Sequence, residues 1–198
     1  KINNKEKLTV LHAGTIKDGT KRFLYETPDE LLETFQETIE ILSTCRNIKL
    51  IIKFRQIQEF SFKSLKTLLG NLPDCVSLIS DGQFGDILAS SHLLMSFSST
   101  TIEEALINDT PVLLYGGKGR YSHIPTEPIK LCETDDVLTP VTFVDNRESL
   151  AEYFKVLDKN YVQFIDYPFD FSRYRLKDAM RVVDWIEQNS ILNEVGKH

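Results

Sequence analysis

The sequence lacks any apolar run approaching the roughly 20 residues that cross a bilayer. No basic start followed by an apolar segment reads as a signal peptide either. Cysteine is scarce: Cys45, Cys75 and Cys132 are far apart and odd in number, with no Cys-x-x-Cys spacing, which excludes a disulfide framework or a zinc site built on them. Buried free thiols and a reducing, cytoplasmic setting are the expectation. An excess of positive charge is also missing. With 23 Lys and Arg against 29 Asp and Glu the formal net charge is -6, which argues against a nucleic-acid surface while leaving room for a local cationic pocket. No Gly-x-Gly-x-x-Gly, P-loop or His-Glu-x-x-His pattern occurs, nor a Ser-His-Asp order that would point to a hydrolase.

What is present is an ordinary globular composition. A hydrophobic fraction of 41% with 26% charged residues is too apolar for disorder, and 198 residues suffice for one domain spanning 1–198. Apolar runs of strand length alternate with segments of helical period, the rhythm of βαβ units in a parallel sheet. Strands are expected at 7–14, 48–54, 75–80, 92–97, 111–116 and 140–145. Helices are expected at 28–45, where Leu31, Leu32, Phe35, Ile39 and Leu42 share a face, and at 62–72, 84–91, about 100–108 and 147–158. A Pro- and aromatic-rich crossing at 162–175 then precedes a last helix at 176–189. The fold class expected is α/β: a Rossmann-like parallel sheet of about six strands with helices on both faces.

In such a sheet ligands bind outside the carboxyl ends of the strands, which singles out the loops there. After the fourth strand come four consecutive hydroxyl side chains, Ser98, Ser99, Thr100 and Thr101, then Glu103 and Glu104. One hydroxyl can cap the helix, and the others can donate to an anion. Glu103 and Glu104 favour the helix dipole. Adjacent on a helix, they point about 100° apart and cannot act jointly on one bond. A carboxylate one turn inside can also accept two hydrogen bonds from vicinal ribose hydroxyls. After the first strand, His12 and Gly14 open a loop carrying Lys17, Lys21 and Arg22; His12 fits a strand-end histidine or a base. Lys53 and Arg55 alternate onto one face at the second strand's end and could converge on one anion. Ser80 to Asp86, with two glycines around Phe84, suits a tight loop that presents backbone groups and an aromatic ring. Tyr115 to Pro125, with Lys118, Arg120 and His123, suits a loop over a ligand.

The stretch LASSHLLMSFSSTTIEEALINDTPVLLYG resembles the carboxyl-terminal nucleotide-binding half of GT-B-fold glycosyltransferases and of their relative, the UDP-N-acetylglucosamine 2-epimerase. Ser98-Ser99-Thr100-Thr101-Ile102-Glu103-Glu104-Ala105 lies over the Ser-Gly-Gly-x-x-Glu-Glu-Ala of the epimerase. Asp109-Thr110-Pro111-Val112 lies over a Gly/Asp-x-Pro-Val strand start. The similarity runs over residues 7–116 in element order. It implies one half of a GT-B fold and a nucleotide diphosphate sugar as donor substrate, with no cofactor and no metal. By the same resemblance Ser98, Ser99 and Thr100 contact the diphosphate with Gly14 and Thr15, Glu104 reads the ribose, and Ser80 and Phe84 lie near the base. Lys53 and Arg55 are the candidate phosphate cations. No catalytic residue is assigned.

The same resemblance implies a missing amino-terminal acceptor domain, and peripheral membrane association of the whole protein is a further expectation. The expected function is glycosyl transfer for polysaccharide or surface glycan synthesis, with this chain inactive by itself. Ser99-Thr100 in place of Gly-Gly narrows backbone approach, which argues against epimerase activity. The Arg-x4-Lys pair of many retaining transferases is only approximated by Lys17 with Lys21 or Arg22. A glycerophosphotransferase using CDP-glycerol and a non-catalytic Rossmann-like interaction module are the alternatives.

Overall fold

A computed structural model describes residues 7–14, 27–56, 60–97, 99–116, 124, 126–129 and 133–174. Six parallel strands form one sheet: β1 (Leu8–Gly14), β2 (Ile48–Phe54), β3 (Val76–Ile79), β4 (Leu93–Ser96), β5 (Val112–Tyr115) and β6 (Val141–Val144). Their order is β3-β2-β1-β4-β5-β6. Every pairing is parallel, as expected when helical crossovers connect successive strands. The helices are α1 (Pro28–Ser43), α2 (Phe62–Leu69), α3 (Phe84–Ala89), α4 (Thr101–Ile107), α5 (Thr134–Val137), α6 (Arg147–Lys159) and α7 (Tyr161–Ile165).

Two elements depart from the sequence expectation. The four-residue α5 is too short to show a helical period, and α7 occupies the start of the segment read as an aromatic crossing. The helix expected at 176–189 lies outside the described residues.

Local chemistry sets the helix ends. Thr27 caps α1: its side chain accepts from the Glu30 N–H at 3.3 Å, and the Glu30 carboxylate accepts from the Thr27 N–H at 2.8 Å. That reciprocal pair, with Pro28 in the first turn, fixes the entry of the longest helix. At the far side of the sheet, α4 is closed by Asp109 at φ 56° while the Thr110 N–H donates to the Ala105 carbonyl at 2.8 Å. Aspartate tolerates this left-handed backbone better than most side chains, which explains why the position before x-Pro-Val accepts Gly or Asp.

The sheet separates two apolar layers. On one face Leu8, Val10, Leu50, Ile52, Met95 and Leu113 pack with Leu31, Phe35 and Leu42 of α1, Leu65 of α2, and Leu150, Phe154 and Leu157 of α6. On the other, Leu11, Ala13, Leu94 and Leu114 pack with Leu88 of α3 and with Ile102, Ala105 and Leu106 of α4. Thr34 and Thr38 sit buried in the α1 stripe, where the Thr38 hydroxyl donates to the Thr34 carbonyl at 2.7 Å. Cys45 and Cys75 are half-buried free thiols, and burial, helped by the charge of Asp158, pushes the Cys45 thiol up to about 11. No helix among the described residues is long and apolar enough to cross a membrane.

His12 belongs to the first layer. It is 2% exposed and packs edge-on against Phe35, ring centroids 4.8 Å apart, with neither ring nitrogen hydrogen-bonded. Burial pulls its pKa down to about 3. Above pH 6.5 the imidazole is neutral folded or unfolded. Between 6.5 and about 3 only the unfolded chain takes up the proton, so stability falls as pH falls, by about 1.4 kcal/mol per pH unit. The difference in unfolding free energy between pH 7 and pH 5, from urea titrations, should be about 2 kcal/mol larger in the wild type than in His12→Leu; equal differences would refute the assignment. Thr27→Ala should cost about 1 kcal/mol in the same measurement at pH 7, and an unchanged midpoint would count against the cap.

Candidate functional site

The strand order reverses between β1 and β4, because the chain runs outward through β2 and β3 and then crosses back to add β4 on the other side of β1. The helices that follow β1 and β4, α1 and α4, therefore pack on opposite faces, and a crevice opens at the carboxyl ends of the strands. Register puts Ala13 of β1 beside Lys53 of β2, and Lys53 beside Ile79 of β3. These residues bring the ends of β1, β2 and β3 to one level.

A cavity of about 690 Å³ lies there. Its walls are Ala13 of β1, Lys53, Arg55 and Gln56 from the end of β2, Ser80 to Phe84 from the loop after β3, and Ser99, Thr100, Thr101 and Glu104 from the start of α4. It lies on the same sheet face as α3 and α4, since Ala13 packs with those helices. His12 points to the opposite face, so the cavity does not include it.

The hydroxyl run divides its labour. Ser99 is 7% exposed, and its Oγ accepts from the Thr101 N–H at 3.4 Å. Thr100 occupies the N-cap position in helical conformation without a side-chain cap bond, and is exposed. The Thr101 hydroxyl is buried without a hydrogen-bond partner. A buried unpaired hydroxyl costs about 1–3 kcal/mol. Of the two adjacent glutamates, Glu104 lines the cavity and Glu103 does not.

The loop after β3 turns at Gly82, whose φ of +86° favours glycine, and a Cβ there would also sit 3.4 Å from the Ile87 side chain. Gln83 then stands at the N-cap of α3 without capping it through its side chain, and Phe84 begins the helix half-buried against the second apolar layer. Glu104 meets this segment: its Oε1 is 3.7 Å from where a Cβ on Gly85 would be. The aromatic ring, the carboxylate and the hydroxyls thus share one hollow.

Lys53 departs from its expected part. Its side chain lies on the cavity face beside Arg55, as strand alternation requires, but its ammonium donates to the carbonyl of Ser80 and, at 2.7 Å, to that of Asp81. Two of its three N–H donors are thereby engaged by backbone, which leaves one. Arg55 is exposed and is the cavity's other cation among the described residues.

Gly14 ends β1 at the crevice. Thr15, Ser98, Lys17, Lys21, Arg22, Lys118, Arg120 and His123 lie outside the described residues. Gln56, Asp81 and Gln83 line the cavity without having been singled out from sequence. They fall in stretches flagged as loops, and nothing in residue type alone separates a lining amide from a solvated one. Among the described residues no group of three or more His, Cys, Asp or Glu is placed to hold a metal ion.

No family model and no curated protein matches this sequence. Solved structures do resemble it. The UDP-GlcNAc 2-epimerase from Neisseria meningitidis bound to UDP-GlcNAc is similar over 93% of this chain and 45% of its own, at 16% identity and a TM-score of 0.54. The S. aureus MnaA–UDP co-structure is similar over 82% of this chain and 39% of its own, at 14% identity and a TM-score of 0.53. Sucrose-phosphate synthase from Thermosynechococcus elongatus is similar over 96% and 47%, at 14% identity and a TM-score of 0.50. This chain spans less than half the length of each. The likeness is one of architecture, and the fold it establishes is a GT-B-type domain: a Rossmann-like α/β unit with six parallel strands and helices on both faces.

Proposed function

We propose that this chain is the nucleotide-sugar-binding domain of a glycosyltransferase acting in polysaccharide or surface glycan synthesis. The observation that carries the reading is the cavity at the strand-order reversal, where Ser99 and Thr100 at the start of α4, the Glu104 carboxylate and the Phe84 ring line one hollow. A nucleotide diphosphate needs three things: donors to phosphate oxygens, an acceptor for vicinal ribose hydroxyls, and a flat apolar face with polar edges for the base. Ser99 and Thr100 supply the first together with Gly14, Thr15 and Ser98, Glu104 the second, and Ser80 to Phe84 the third. Arg55 adds positive charge near the phosphates. In glycosyl transfer, charge develops on the departing diphosphate, and donors already aimed at it stabilise that charge without reorganisation.

Two structures of similar fold carry UDP or UDP-GlcNAc in their own sites, which favours a nucleotide diphosphate sugar as the ligand here. The acceptor and any catalytic base would come from a second domain, so this chain alone binds donor without transferring sugar. Among the alternatives, a 2-epimerase is disfavoured because Ser99 and Thr100 carry side chains where the epimerase has glycines.

Calorimetric titration with UDP, GDP, CDP and ADP tests the reading. At least one should bind, and Glu104→Ala should weaken that binding by about 1–3 kcal/mol, roughly tenfold to a hundredfold in Kd. Unchanged affinity in Glu104→Ala would remove the ribose role. Silence from all four nucleotides, in titration and in thermal shift at high concentration, would favour an interaction module instead.

A further inference from the structure

We propose that Lys53 sets the base preference of this cavity, selecting bases with a keto oxygen at pyrimidine C4 or purine C6, uracil or guanine, over those with an amine at that position, cytosine or adenine. The inference rests on the nucleotide reading above and goes beyond it by naming the base class and the residue that chooses it.

The argument starts from the end of β3. Among the described residues that strand is at the edge of the sheet, with β2 as its only neighbour, and its chain leaves through Ser80 and Asp81 into the wall of the cavity. Two successive backbone carbonyls at a cavity wall are hydrogen-bond acceptors, and left to themselves they would suit the N–H donors of an exocyclic amine. Here both are taken by the Lys53 ammonium, which donates to Ser80 O and to Asp81 O. Lys53 is held at this level by register, being paired with Ala13 on one side and Ile79 on the other, and it shares the cavity face with Arg55.

The ammonium inverts the polarity of the wall. An amine hydrogen approaching the two carbonyls would meet a full positive charge that already occupies them, whereas a keto oxygen is attracted to it and can accept its third N–H. Arg55 reinforces the sign. Of the opposing charges, Glu104 faces the first turn of α3 near Gly85, and the exposed Asp81 carboxylate has solvent to screen it. A compact ammonium on a flexible stem suits this position, because it follows the two carbonyl oxygens without demanding the planar fork of an arginine.

The experiment compares pairs of equal ring size, UDP with CDP and GDP with ADP, by calorimetry on wild type, Lys53→Met and Lys53→Arg, with thermal melts confirming that each variant is folded. Wild type should prefer the keto member of each pair at least tenfold. Lys53→Met, which frees both carbonyls, should shrink that preference at least fivefold, chiefly by improving CDP and ADP; Lys53→Arg, which keeps a cationic donor there, should retain most of it. A loss common to all four nucleotides with the ratios intact would overturn the inference, showing Lys53 to be a general support of the loop or a diphosphate contact. No keto preference in the wild type would overturn it as well, leaving the nucleotide reading in place. If no nucleotide binds wild type, both fall together.

Discussion

One strand carries the design. β1 pairs in parallel with β2 on one side and with β4 on the other, and each remaining strand is added outward from one of those two. Because the chain must return past β1 to place β4, α1, which follows β1, packs on one face of the sheet and α4, which follows β4, on the other. The hollow between them is a geometric consequence of the connection order, present before any side chain is chosen. Side-chain chemistry then decides what the hollow can hold. The arrangement also explains why the cavity-lining residues are scattered along the chain: Ala13, Lys53, Phe84 and Glu104 share a wall only because the ends of successive strands come to one level.

The two faces of the sheet solve different problems. On the α1 and α6 side the apolar layer is deep, and even a titratable ring such as His12 is held neutral inside it. Its unmet nitrogens are a standing cost accepted among well-packed neighbours. On the α3 and α4 side polar groups approach the carboxyl ends of the strands, and the ammonium of Lys53 there donates to two backbone carbonyls. The same residue serves two ends: it closes the loop after β3 and fixes the sign of charge at the cavity wall.

Much of this was readable from the amino-acid order. Every strand announced itself by a short apolar run, and α1 by the recurrence of Leu31, Phe35 and Leu42 on one face. Asp109-Thr110-Pro111-Val112 carried real conformational information, since the aspartate takes the left-handed turn that lets proline start the next strand. What escaped is equally physical. A four-residue helix such as α5 completes barely one turn and has no period to read. Lys53 and Arg55 were placed on a common face by alternation, yet the partners that matter to Lys53 are carbonyl oxygens, which every residue possesses and no sequence pattern marks. Within the hydroxyl run, residue type could not tell which side chain caps the helix and which is buried without a partner. That depends on how α4 leaves β4, and there Ser99 accepts the N–H while the Thr101 hydroxyl stays unmet.

The helices beside the cavity are also short. α3 has six residues and buries Leu88; α4 has seven and buries Ile102, Ala105 and Leu106. Helices of that length have almost no stability of their own and are ordered by what they rest on. Local opening should therefore cost less on this flank than beneath the 16-residue α1. Any molecule that bridges Phe84 and Glu104 joins these two lightly anchored helices, and part of its binding free energy goes into stilling them. Stiffness lies on the side that carries α1, and give on the side that carries the cavity.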